Sequence, residues 1–338
     1  MKKLLITACA LATTSFAVAQ GNQDYTTQTG VANNAQVAQV GFQNHNTILQ
    51  LGAQNRAKTD QNGSSNTNTS TSIGLDNSID VKQLGTSNSN ITNQLGILNV
   101  AKVDQNGSAN VSLQNQLGLS NNVSTDQNGS LNVSNQNQLG VSNSATVDQD
   151  GFANLTVQTQ VGLSNSAASL QNGAANLVVQ TQLGSNNGAY ANQTGALNAA
   201  IQTQIGDGQT AQSMQNGVAN IGVQSQSGNN NVAALSQDGI ANAALQTQNG
   251  DGNGATISQS GLLNLSMQDQ SGNGNIAVAS QIGSLNLISQ NQTGNTNSAF
   301  DFQTGIANSS FVTQLGDQNY HMGIQTGIGN TMTIFQSN

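Results

Sequence analysis

Acid–base and metal chemistry have few carriers in this chain of 338 residues. It holds two histidines, His45 and His321, one cysteine, Cys9, and no glutamate. General acid–base catalysis needs a titratable group within reach of a partner, and neither histidine has a nearby cysteine or acidic cluster in sequence. Each is therefore expected to be a surface or ladder substitution. The Asp104, Asp126 and Asp148 series, spaced by 22 residues, is the one candidate for oxygen ligation. Stacked carboxylates suit Ca²⁺, but neither an EF-hand loop nor a calcium β-roll repeat is present. The series reads better as solvated charge that slows premature stacking. The run Gly250-Asp251-Gly252-Asn253-Gly254 is a turn element and not a phosphate loop, because no Walker motif accompanies it. No catalytic residue, cofactor or metal ligand is assigned.

The abundant chemistry is that of the side-chain amide. Gln and Asn each carry two donors and an acceptor, and here they recur with a fixed period. Gly stands at position 30 and at every eleventh residue through Gly327. Gln precedes each Gly by two residues, except where Ser72 replaces it, and Asn follows by three, except at Gln209. The unit is Q-x-G-x-x-N plus five residues. A second period of 22 overlays it, since alternate units carry an extra Gln: Gln114, Gln136, Gln158, Gln180, Gln202, Gln224, Gln246, Gln268 and Gln290. The repeating object is a pair of unlike arms, A and B, the extra Gln belonging to arm B.

An eleven-residue period also fits a right-handed coiled coil. Gly and Asn in every unit would cost such helices heavily, and within each unit the pattern alternates with period two, as in Asn99-Val100-Ala101-Lys102-Val103-Asp104-Gln105. The expected architecture is an all-β solenoid, cross-β in character, with two strands per turn of 22 residues and about 14 turns. Each strand is expected to end at Gln, with a tight turn around Gly (Gly107, Gly118, Gly129, Gly140, Gly151, Gly162) and Asn opening the next strand. Identical amides in successive turns would form ladders, here Gln105, Gln116, Gln127, Gln138, Gln160 and Gln182 with Asn110, Asn121, Asn132, Asn143, Asn165 and Asn187. Ser72 and Gln209 are the expected weak points. Small or aliphatic residues two and four places after Asn, such as Ala101 and Val103 or Ala233 and Leu235, would fill a thin dry core.

Arm B also carries aliphatic pairs: Val111 and Leu113, Leu155 and Val157, Leu177 and Val179, Ile221 and Val223. With the amides inward these form an outward apolar strip suited to lateral contact; a flipped arm B would bury them instead. The shared turn motif favours the outward facing. Asp301 breaks the alternation and would leave Phe300 and Phe302 outward.

Composition narrows the class. Only 6% of residues are charged and 3% aromatic, and there is no proline, which suits a continuous backbone ladder. Residues 1–19 read as a secretory signal peptide, with Lys2 and Lys3, an apolar run and Ala17-Val18-Ala19 before the cleavage point. The run before Cys9 is too short for a lipoprotein signal. The remainder carries fourteen Asp against four basic residues, which argues against nucleic acid as a partner, and no later apolar run is long enough to cross a membrane as a helix. Residues 20–27 are expected to be a short leader and 28–338 the repeat.

The iterated Q-x-G-x-x-N unit, its eleven-residue spacing and the signal peptide resemble the curlin repeats of curli subunits. The resemblance implies a secreted, extracellular subunit that polymerises into amyloid fibres of biofilm matrix and surface adhesion. It implies as partners further copies of the chain, a nucleator subunit, and an outer-membrane pore that reads an N-terminal segment, here residues 20–27. It also implies inward amides at Gln105, Asn110, Gln116 and Asn121. The number of repeats exceeds that of familiar curlins. Two other readings are a monomeric solenoid adhesin or ice-binding protein, for which Thr159, Thr181, Thr203 and Thr247 give only a partial column, and an enzyme on a β-helical scaffold, which lacks the groups.

Overall fold

The computed structural model describes residues 21–338. The expected signal peptide and Gln20 lie outside the described residues. Among the described residues twenty-nine strands follow one another, beginning with β1 (Gln23–Val31) and β2 (Asn34–Phe42). They pass through β8 (Val100–Ser108) and β9 (Val111–Leu119) and end with β28 (Tyr320–Ile328) and β29 (Thr331–Ser337). Odd-numbered strands, arm B, form one parallel sheet of 15; even-numbered strands, arm A, form a facing sheet of 14. Every strand pairs in register with the strand 22 residues away, as Gln105 does with Gln127 and Gly107 with Gly129. The chain is a β-solenoid of about 14 turns.

One expectation about the elements is corrected. Strands do not stop at Gln: they continue through Gly107, Gly118, Gly129, Gly140, Gly151 and Gly162 to the residue after each. The reversal falls on the following two residues. Gly107 has a φ of 128°, and a Cβ there would overlap the carbonyl oxygen of Gly129 in the next turn, so close rung-to-rung approach requires glycine as much as its backbone angle does. The left-handed residue at the reversal is the one two places after Gly, and its side chain varies: Ala109, Ser120 and Leu131 all have φ of 55–59°. That conformation costs L-residues roughly 1–2 kcal/mol. It is held by backbone bonds from both sides, for example Ala109 N to Thr86 O and Val111 N to Asn132 O. Because strands run on, Asp150, Asp207 and Asp238 sit near strand ends. β1 begins at Gln23, within the residues expected as a leader.

Inward and outward positions alternate along each arm. Ala101, Val103, Ala145, Val147, Ala233, Leu235, Ala255 and Ile257 are all buried. Core volume is shared across the sheets: a Cβ on Gly222 of arm B would strike Leu235 of arm A. Packing of this kind tolerates little change in volume.

Candidate assembly interface: amide ladders and open edges

Except at Ser72, the ladder Gln side chains donate to their copies in the next turn. Gln105 Nε2 lies 2.9 Å from Gln127 Oε1, Gln116 Nε2 is 3.1 Å from Gln138 Oε1, and the Gln138–Gln160 and Gln160–Gln182 bonds are 2.8 Å. The same Nε2 also reaches the opposite arm: Gln105 donates to Ser89 O at 3.0 Å and Gln116 to Val100 O at 2.9 Å. The Gln side chain thus ties rung to rung and sheet to sheet at once. The extra arm B Gln forms a further ladder, as in Gln158 to Gln180 at 2.8 Å.

The Asn ladders run the other way. The backbone N–H of Asn132 donates to Asn110 Oδ1, and those of Asn143, Asn165 and Asn187 donate to Asn121, Asn143 and Asn165, each at 3.1 Å. Asn110 Nδ2 also donates to Gly129 O at 3.0 Å, fixing the corner of the next turn. The Gln Nε2 donors therefore point toward the C-terminal end of the rod, while the backbone N–H of each ladder Asn points to the Asn Oδ1 one turn back and its Nδ2 reaches forward to a Gly carbonyl.

Both irregular positions alter their ladder. Ser72 Oγ reaches Gln94 Oε1 at only 3.4 Å, and Gln50 keeps its bond to Asn34 O but donates to no amide in the next turn. At Gln209 the Nε2 satisfies Ile205 O and Gly228 O, while its Oε1 is buried without a partner. The longer side chain carries the carbonyl away from Asn231, and the ladder breaks there.

Two features were missed in the sequence reading. Asp24, Asn46, Asn68 and Asn90 form another inward ladder in arm B, with bonds of 2.6, 2.8 and 2.8 Å. The signal was an Asn recurring at 22 residues two places after the regular one. The second is a polar cluster near the C-terminal end. Asp301 is fully buried and accepts from Gln290 Nε2 and Ser310 Oγ, each at 2.8 Å, with His321 Nε2 at 3.2 Å. Gly323 leaves the space for it, because a Cβ there would collide with Met332. Phe300 and Phe302 face outward, half-buried. His45 lies at the outer start of its strand, its ring 5.6 Å from that of Tyr25.

Arm A carries the charge on its outer face. Lys58–Asp80 (3.8 Å) and Lys82–Asp104 (3.4 Å) bridge neighbouring turns. Asp104, Asp126 and Asp148 stand in register. Partial burial first, then the charges of Asp104 and Asp148, push the Asp126 carboxyl above its ordinary range, with Lys102 opposing and Asp150 adding. Burial and then Asp150 raise that of Asp148. Among the described residues no group of three or more His, Cys, Asp or Glu side chains is placed to hold a metal ion.

Arm B's outer face carries an apolar strip beside a polar column. Val111, Leu155 and Ile221 are exposed; Leu113, Val157, Leu177, Val179 and Val223 are half-buried on the same side. Beside them runs a shallow groove of about 420 Å³ between Leu95, Leu117 and Leu139 and the Asn93–Asn115–Asn137 column.

At the two ends the ladders stop. Among the described residues β1, β2, β28 and β29 each pair on one side only, so their outer N–H and C=O groups are open. No protein-family model matches this chain, and the search of curated proteins gives no match.

Proposed function

We propose that this protein is a structural subunit that polymerises outside the cell, end to end, into curli-like amyloid fibres serving biofilm matrix and surface adhesion. The observation that carries the reading is the pair of open parallel edges, each presenting backbone groups together with unfinished Gln and Asn ladders. An open strand edge templates addition of another chain, and head-to-tail association that does not close on itself yields filaments. Every bond needed at a joint already recurs inside the rod, so adding a subunit repeats the internal contact. The role is structural and not catalytic. In support, the one contact between a histidine and an acid among the described residues, His321 with Asp301, is buried in the core. A flat ice-binding array has less support, because the column holding Thr159, Thr181 and Thr203 continues into Ser225, Thr247 and Asp269.

Thioflavin fluorescence and electron microscopy of the purified chain test the reading. The expected result is fibres whose growth depends on concentration and is shortened by sonicated seeds. Persistent monomers at high concentration would contradict it.

A further inference from the structure

One stretch of arm B differs from the rest of the rod surface. It covers six arm B strands, from β5 (Thr67–Leu75) to β15 (Leu177–Ser185). In each, the residue before Gly is outward and aliphatic. Ile73, Leu95, Leu117, Leu139, Val161 and Leu183 stand in register, one per rung, and make a ridge. Leu95, Leu117 and Leu139 are 49, 45 and 46% exposed. The adjoining corner adds Leu75, Ile97, Leu119, Val141 and Leu163, all exposed. On the other side of the ridge lies the groove of about 420 Å³, with Thr71, Asn93, Asn115, Asn137 and Thr159 as its far wall. Asn93 Nδ2 donates to Asn115 Oδ1 at 3.0 Å and Asn115 Nδ2 to Asn137 Oδ1 at 2.9 Å. These amides already bond along the axis, so a cover need not supply their partners. The patch is also bounded. From Ser185 onward the same corner turns polar, and its Asp side chains are engaged within the rod. Ser185 N donates to Asp207 Oδ1 and Asn229 N to Asp251 Oδ1, each at 2.8 Å.

The repeat, the charge and the area of this patch all bear on what covers it. A groove that repeats once per rung, about every 4.8 Å, is filled at every rung only by side chains of the same spacing. A helix laid along it repeats at about 5.4 Å per turn and would slip by about 3 Å over five rungs. An extended peptide laid along it presents same-side residues about every 6.6 Å. The ridge of a second copy has the required spacing. None of the six strands carries a charged residue, whereas every arm A strand from β4 (Arg56–Ser64) to β12 (Ser144–Phe152), on the opposite side of the same rungs, carries at least one. Charge is depleted at the centre of protein interfaces. Six rungs at about 4.8 Å, by about six residues at 3.3 Å, give about 600 Å² per copy. The total of about 1,200 Å² is the lower end of specific interfaces, and each subunit of a filament repeats it.

We propose that a second copy of this chain packs sideways against the patch, the ridge of each rod seated in the groove of the other. The contact is reciprocal about a two-fold axis and dry, in the manner of a steric zipper. The axis runs parallel to the rods. That operation exchanges ridge and groove, whereas an axis across the rods would set ridge against ridge. The two rods therefore point the same way. This rests on the polymerisation reading and adds to it the lateral partner of each filament.

Mass per length of purified fibres, measured by scanning transmission electron microscopy, reports the pairing. Unmodified fibres are expected to carry the mass of two rods. The double variant Leu95→Lys, Leu139→Lys is expected to halve it, and Ile282→Lys, on arm A and 54% exposed, to leave it unchanged. Image reconstruction of unmodified fibres decides the matter however the variants fold. It is expected to show two rods in the same direction, joined through the Leu95–Leu117–Leu139 ridge. Unmodified fibres of one rod, rods joined through another face, or rods in opposite directions would overturn the lateral contact while leaving polymerisation standing. So would two-rod fibres of the Leu95→Lys, Leu139→Lys variant. Absence of fibres from the unmodified chain overturns both.

Discussion

Gln138 accepts from Gln116, donates to Gln160 and also donates to Asn122 O on the facing arm. Replacing it with Ala removes all three bonds, leaves the buried Gln160 Oε1 without its donor and leaves Gln116 Nε2 only Val100 O. At about 1–3 kcal/mol for an abandoned buried group, plus the lost packing, the change is expected to destabilise the surrounding turns by about 2–4 kcal/mol. Amide hydrogen exchange should show this as lost protection confined to the neighbouring turns; unchanged protection would mean that the ladder contributes nothing locally. The irregular positions give the opposite test. Ser72→Gln rejoins Gln50 to Gln94, and Gln209→Asn restores the short amide that the buried Oε1 of Gln209 lacks. Each is expected to stabilise its region by about 0.5–1.5 kcal/mol, read as slower exchange in the adjacent strands.

Each arm has an inner face set by amides and an outer face of its own character. On arm A the column Asp104, Asp126 and Asp148 is strained by like charge. The carboxyls of Asp126 and Asp148 are raised in the folded rod by burial and neighbouring acids, so folding disfavours their ionised forms. Stability linked to their protonation is complete below their unfolded pKa and is lost as pH rises through the raised folded values. Acidification into the range just above the ordinary carboxylate value of 3.8 is therefore expected to raise the melting temperature and speed assembly. Asp126→Asn should raise the melting temperature at neutral pH and flatten the dependence; an unchanged pH profile would remove the column from the account. How far these elements were legible follows from what sets them. The eleven-residue spacing and the alternation placed Gln105, Asn110, Ala101 and Val103 on one side because the solenoid copies one turn throughout. The left-handed backbone at Ala109, Ser120 and Leu131 was not legible, because the surrounding bonds impose it and the residue type does not mark it. Nor was the company of Asp301: Gln290, Ser310 and His321 meet it only once the facing arms and adjacent turns are in place.

As a whole, the described residues form a rod of about 70 Å, taking 29 half-rungs at about 4.8 Å per rung, with unpaired strand edges at its ends and an apolar strip along one side. Stability in such an array adds through nearest-neighbour contacts, so extension at an edge strengthens every turn near it. The lateral face is separable from growth. The double variant Leu177→Ser, Val179→Ser, at outward half-buried positions, is expected to reduce bundling of fibres in micrographs while leaving their elongation rate within about twofold, as surface changes away from core contacts usually do. Unchanged bundling with a weakened core would show that these side chains face inward. The central claim is that amides and backbone groups of successive turns bond along the axis. X-ray diffraction from aligned fibres tests it most directly. A sharp axial reflection at about 4.7–4.8 Å is predicted, from strands lying across the fibre; that spacing found only on the equator, or absent with a helical repeat near 5.4 Å in its place, would contradict the account.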